Sequence, residues 1–199
     1  MVRPPLELIP FYGRLTPFVQ RARLAAARPY LLADRRVLDV GCGLTSLPGS
    51  LPFYVGCDRN EAVLAENRRR FPEASLWAWD VGSEEPSAAL LASGRFDVVL
   101  MLALLEHLSA PWEALRRAGV LLAPGGRLVA TTPHPWGRIP LEAGAALGLL
   151  SPHADEEHET LLSRPALEEA GRRAGLKMVV YRRFLFGLNQ LAVFERAAC

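Results

Sequence analysis

Val37-Leu38-Asp39-Val40-Gly41-Cys42-Gly43 is the stretch that decides the fold. A short apolar run closed by two glycines reads as a buried strand running into a tight turn. Downstream, residues 53–57 form a second such run, ending at Asp58. Residues 60–70 read as a helix with Asn60 as N-cap. A third strand over 75–79 ends at Asp80, and residues 86–92 form a short helix. Residues 96–102 are a fourth strand, continuous in Val, Leu and Met as a strand covered on both faces should be. A helix over 111–122 is stopped by Pro124-Gly125-Gly126, and a fifth strand follows over 127–132. Upstream, residues 14–33 carry Leu15, Phe18, Val19, Ala22, Ala26 and Leu31 at helical spacing.

Strands alternating with helices at this spacing mean βαβ units and a parallel sheet, with ligands gathered beyond the carboxyl ends of the strands. Past the fifth strand the pattern breaks. Residues 134–163 form a long irregular segment, a helix spans 165–174, and strands over 178–186 and 191–195 are joined by the short Gly187-Leu188-Asn189 turn. So short a turn forces antiparallel pairing. The expected architecture is an α/β, Rossmann-like, mostly parallel seven-stranded sheet with helices on both faces and one antiparallel C-terminal strand. It forms a single domain over residues 1–199, with an N-terminal helical segment at 1–33 and an insert at 134–163.

Half of the 199 residues are hydrophobic and the net charge is +2. That composition supports a packed core and gives no mandate for a nucleic-acid partner. No run is long and apolar enough for a membrane span, and residues 1–13, rich in proline, do not have the form of a signal peptide. Cys42, Cys57 and Cys199 are odd in number and unclustered, which fits reduced thiols and a cytoplasmic setting. Lys177 is the one lysine among many arginines and alanines, a codon signature of a GC-rich bacterial genome.

The chemistry begins with Asp39, Gly41, Cys42 and Gly43 after the first strand and Asp58 after the second. Glycines let the backbone turn sharply and let a ligand approach the main chain. An acid at the end of the next strand can take both hydroxyls of a ribose. A plain glycine turn beside a surface aspartate is the alternative, and at this point both stand.

The series of motifs resembles the class I S-adenosylmethionine (SAM)-dependent methyltransferases, in the small-molecule branch. VLDVGCG resembles the family's first motif, and Asp58, with Arg59 beside it, matches the acid that holds the ribose. Trp79-Asp80-Val81 is similar to the adenine-binding stretch, in which the Asp80 carboxylate takes the exocyclic amine and the Val81 N–H a ring nitrogen. Residues 96–108 resemble the fourth motif, and LLAPGGR over 121–127 resembles the turn into strand five. The resemblance covers roughly residues 34–197 and implies SAM as cofactor, with a loop of N–H groups for its carboxylate and strand-end carbonyls near Leu102 and Ala103 for its ammonium. Two departures stand out. Thr45 replaces the usual third glycine, and the prolines and glycine of residues 46–52 break the helix that normally follows.

His107 and His134 follow strands four and five and are the candidate catalytic residues, histidine being the side chain best suited to proton transfer near neutral pH. A purely structural place is the competing reading for each. Residues 153–158, His-Ala-Asp-Glu-Glu-His, carry ligand types without a third set at recognisable spacing, so a solvated acidic segment is expected and no metal. Residues 102–106 lack the loop of enzymes that methylate amino groups of nucleic-acid bases, which leaves a small-molecule acceptor. Phe11, Tyr12, Trp112, Trp136 and residues 141–150 are candidate pocket walls, and residues 134–163 a lid over that acceptor. Two alternatives remain: a non-catalytic SAM-fold binding protein, and a nicotinamide (NAD)-type oxidoreductase, the latter disfavoured because Ser46 stands where its fingerprint needs a third glycine.

Overall fold

Val37–Val40 forms β1, buried at all four positions because it has a strand on each side and helices on both faces. A computed structural model describes residues 16–137 and 162–197. The element order is α1 (Thr16–Ala27), β1, β2 (Tyr54–Asp58), α2 (Glu61–Arg70), β3 (Ser75–Ala78), α3 (Ala88–Ala92), β4 (Phe96–Leu102), α4 (Pro111–Gly119), β5 (Leu122–Pro133), α5 (Arg164–Arg173), β6 (Leu176–Phe184) and β7 (Asn189–Arg196).

The seven strands lie in the order β3-β2-β1-β4-β5-β7-β6. The β1, β2, β3, β4 and β5 pairings are parallel, while β7 runs antiparallel to both β5 and β6. This is the expected mostly parallel sheet with one antiparallel strand.

Two apolar clusters sandwich the sheet. Leu90 of α3, Leu115 of α4 and Leu167 of α5 pack on one face with Leu38, Val99 and Leu128. Ala26 and Ala27 of α1 and Leu64 of α2 pack on the other with Val37, Leu100 and Val129. The alternation of β1 and β4 side chains between these clusters explains why both are apolar but for Asp39 and Asp97. Asn60 caps α2 as expected, its side chain accepting from the Ala62 and Val63 N–H groups.

Several boundaries differ from the sequence reading. The helix expected to reach residue 122 ends at Gly119, because Leu122 already pairs with Phe96 on β4 before a register shift. Gly126 is required there: a Cβ would lie 2.9 Å from the Phe96 carbonyl oxygen. The C-terminal hairpin turns earlier than expected, at residues 185–188. Leu185, Phe186 and Gly187 all take positive φ (51°, 54° and 86°), so β6 stops at Phe184 and Asn189 opens β7. Left-handed leucine and phenylalanine are uncommon enough that residue type pointed to the glycine alone. Phe11, Tyr12, residues 141–150, His153, His158 and Cys199 fall outside the described residues, as does most of the expected lid. Among the described residues no helix is long and apolar enough to cross a membrane.

Candidate active site

β1 and β4 are neighbours, yet the chain leaves β1 toward β2 and β3 and leaves β4 toward β5. That is the switch point at which an open α/β sheet leaves a crevice beyond its carboxyl ends. The glycine turn occupies it. Gly41 and Gly43 have φ of 69° and 51°, which an L side chain adopts only with strain. A Cβ on Gly41 would lie 2.9 Å from Leu104 Cδ1, whereas one on Gly43 would meet nothing within 4 Å. Gly41 is thus a close-packing position and Gly43 faces open space.

The turn's N–H groups are largely spent internally, contrary to expectation. Those of Gly41 and Cys42 donate to the Cys57 carbonyl (2.8 and 2.9 Å), that of Gly43 to Asp58 Oδ2 (2.9 Å) and that of Thr45 to the Gly43 carbonyl (3.0 Å). After the turn the chain makes a single 3₁₀ turn, Leu47–Gly49, in place of a helix, as the prolines dictate. The turn is also held from α2. Fully buried Asn67 donates from Nδ2 to the Gly43 carbonyl at 2.7 Å. Sequence reading missed Asn67, although a polar residue on the buried face of α2, beside Val63 and Leu64, is the kind of exception that marks a specific bond.

Asp58 closes β2 with each carboxylate oxygen accepting one backbone N–H: Oδ2 from Gly43 and Oδ1 from Asn60 (2.9 Å). A carboxylate oxygen has two lone pairs, so each keeps one acceptor site for a vicinal hydroxyl. Arg59 beside it is exposed. After β3, Asp80 Oδ1 accepts from the Gly82 N–H (3.0 Å), and Val81 is buried. At the end of β4, Leu102 is half-buried and Ala103 takes φ 56°, turning the chain across the crevice.

Behind the turn lies a polar contact that sequence did not foreshadow. Asp39 is buried, and the Tyr54 hydroxyl donates to its Oδ2 at 3.0 Å. Burial raises the Asp39 pKa from 3.8 to about 7; Tyr54 opposes that rise and nearby Asp58 adds to it. Burial likewise pushes the Cys42 and Tyr54 groups up and the Cys57 thiol to about 12, so neither cysteine is a thiolate. For Asp39 the folded state holds its proton longer than the unfolded chain. The resulting stability is complete below pH 4 and is lost as pH rises to about 7. About three units correspond to roughly 4 kcal/mol. Asp39→Asn should therefore raise the melting temperature at pH 8 while changing it little at pH 4. Melting curves across that range check it; a parallel shift at every pH would show that ionisation of Asp39 is not the cause.

The two histidines are held differently. His107 is half-buried at the end of the 3₁₀ turn Leu105–His107. His134 follows β5, its N–H donating to the Leu188 carbonyl and its Nδ1 accepting from the Trp136 N–H at 3.1 Å. Burial, and then the Arg183 charge, lower the His134 pKa. The ring is neutral, with Nε2 carrying the proton. Trp136 is 73% exposed with Arg183 stacked 4.5 Å from its ring, and Trp112 packs against the core under Arg173. No group of three or more histidine, cysteine or acidic side chains is placed to hold a metal among the described residues.

A family model described as "Methyltransferase domain" matches residues 13–181, a span that holds β1 to β5 and the glycine turn. The chain belongs to the SAM-dependent methyltransferase family. Among relatives of this methyltransferase, a ubiquinone biosynthesis O-methyltransferase from Nitrosococcus oceani is 32% identical over 162 residues, 74% of this chain and 65% of that protein. Another so named, from Ruegeria pomeroyi, is 30% identical over 173 residues, 82% of this chain and 67% of that protein. The chain thus spans about two thirds of the length of these relatives. A SAM-dependent methyltransferase from Mesorhizobium loti superposes with a TM-score of 0.69 at 16% identity, over 88% of this chain and 98% of that one. The Synechocystis magnesium protoporphyrin IX methyltransferase, solved with S-adenosylhomocysteine, gives 0.60 at 16% identity over 91% and 83%. These likenesses establish the fold of the methyltransferase.

Proposed function

We propose that this methyltransferase transfers the methyl group of SAM to an oxygen of a small-molecule acceptor. The observation that carries the reading is the left-handed glycine turn at the sheet's switch point, tied to Asp58 with two carboxylate acceptor sites left over. The residues fit the cofactor. Asp58 would take the ribose hydroxyls, Asp80 and the Val81 N–H the adenine, and the carbonyls of Leu102 and Ala103 the ammonium. Gly41, Cys42 and Gly43 would pass beneath it, with Gly43 leaving the room, and Arg59 would line the mouth. Because the N–H groups of Gly41, Cys42, Gly43 and Thr45 are engaged, the turn has few donors to offer the carboxylate end.

When bound, the cofactor supplies an electrophilic methyl group on a strong leaving group. What remains for the protein is alignment of the acceptor and exclusion of water. A hydroxyl acceptor must also lose a proton. His134 and His107 stand at the strand-four and strand-five rim for that role. Neutral His134 first needs an exchange of tautomer to accept through Nε2. Oxygen as the methylated atom is supported by the two relatives named O-methyltransferases. A cytoplasmic place is supported by Cys42 and Cys57 both being free thiols.

Ligand-dependent melting tests the reading against its alternatives. SAM at 100 times its dissociation constant should add about 2.7 kcal/mol of stability, and NAD none. Label from methyl-tritiated SAM should then pass to a hydroxylated acceptor. Stabilisation by NAD alone would make the chain an oxidoreductase, and SAM binding without transfer to any acceptor would make it a binding protein.

A further inference from the structure

The glycine turn leaves one donor unspent, and one side chain of α2 sets its direction. Of residues 41–45, the N–H groups of Gly41, Cys42, Gly43 and Thr45 are engaged, while that of half-buried Leu44 has no partner among the described residues. The Gly43–Leu44 peptide is trans, so its carbonyl and its N–H point in opposite directions. The carbonyl is drawn toward α2, where Asn67 Nδ2 donates to it at 2.7 Å and also lies 3.9 Å from Cys42 Sγ. The Leu44 N–H therefore faces away from α2.

Asn67 is a costly way to hold a loop. Its side chain is fully buried and its Oδ1 has no hydrogen-bond partner, an arrangement that lowers stability. The Gly43 carbonyl does not need Asn67 to be satisfied, since the Thr45 N–H already donates there at 3.0 Å. That bond closes within the loop and turns with it, whereas Asn67 ties the peptide to a helix 24 residues away. The need for a tether follows from Gly43 itself. Its N–H is fixed by Asp58 Oδ2, which holds the peptide before it. The peptide after it is free to rotate, because a glycine with no atom within 4 Å of its missing Cβ resists little. Asp58 and Asn67 thus hold the two peptides on either side of a permissive joint. With only the single 3₁₀ turn Leu47–Gly49 following, the loop has no helix of its own to steady it, and α2 takes that part.

We propose that Asn67 is a positioning residue for the cofactor: it pins the Gly43 carbonyl so that the Leu44 N–H is aimed into the crevice as a donor to the carboxylate of the methionine end. This rests on the placement of the cofactor proposed above.

Two ligands separate this role from a general structural one. S-adenosylhomocysteine carries the carboxylate, and 5′-methylthioadenosine shares its adenosine and sulfur but lacks the amino-acid end. Asn67→Leu, which keeps the heavy-atom shape and removes the donor, should weaken S-adenosylhomocysteine at least tenfold and 5′-methylthioadenosine less than twofold, both measured by calorimetry on the full chain. Because a core substitution can prevent folding, a second variant replaces the Leu44 N–H with oxygen through a backbone ester and leaves every side chain in place. It should show the same split between the two ligands, and it decides the matter if Asn67→Leu does not fold. Equal weakening of both ligands in Asn67→Leu, or S-adenosylhomocysteine affinity within twofold of the parent in the ester variant, would make Asn67 a packing residue only and overturn the proposal. If neither ligand binds the parent, the placement of the cofactor fails and the proposal with it, an outcome distinct from a missing split.

Discussion

Gly43→Val should abolish SAM binding, with an affinity loss of at least 100-fold, while leaving a folded protein. The two effects separate because of where the missing Cβ would go. At φ 51° a β-branched residue is a genuine outlier, and the left-handed backbone costs about 1–2 kcal/mol, which a domain of this size tolerates. Among the described residues no atom lies within 4 Å of the added Cβ, so no core clash follows. The side chain projects instead into the crevice proposed for the cofactor. Gly41→Val makes the contrast. Its Cβ meets Leu104 at 2.9 Å at a φ of 69°, so stability should fall further, with binding lost alongside it. Calorimetry on the folded fraction and a melting curve for each variant check the pair. Near-parental affinity in Gly43→Val would remove the turn from the cofactor site.

Asp58→Ala should weaken SAM by about 1.5–3 kcal/mol, the scale of losing charge-assisted hydrogen bonds. Two losses combine. The ribose hydroxyls lose their acceptor, and the Gly43 N–H loses the bond at 2.9 Å that holds the turn in shape. Asp58→Asn separates them, since its one remaining oxygen can keep the Gly43 bond while losing charge and half of the acceptor sites. Affinity should fall in the order parent, Asn, Ala. Equal affinities for all three, measured by calorimetry at one salt concentration, would show that the carboxylate does not touch the ligand.

The elements of this fold are legible in the chain because each is set by residues close in sequence. The apolar run 37–40, its glycines, the Asn60 cap and the unbroken run of β4 each specify a local conformation that the structure keeps. The errors fall where a local preference is overruled from a distance. α4 stops at Gly119 because Leu122 pairs with Phe96. The last hairpin turns through left-handed Leu185 and Phe186, which no local preference favours.

The site divides along the same line. Sequence alone determined which residues come to the carboxyl edge: Asp39, Gly41, Gly43, Asp58 and Asp80 each stand at a strand end, and a parallel sheet puts all strand ends together. Only the tertiary structure decided what those groups do once there. The turn spends its N–H groups on Cys57 and Asp58, Asn67 holds Gly43 from a helix 24 residues on, and Tyr54 reaches Asp39. Arg23 is brought to Glu106 and to Asn189, 166 residues away along the chain. The physical reason is that a hydrogen bond or a buried charge is satisfied by whatever partner lies within about 3 Å, and packing, not sequence neighbourhood, chooses that partner.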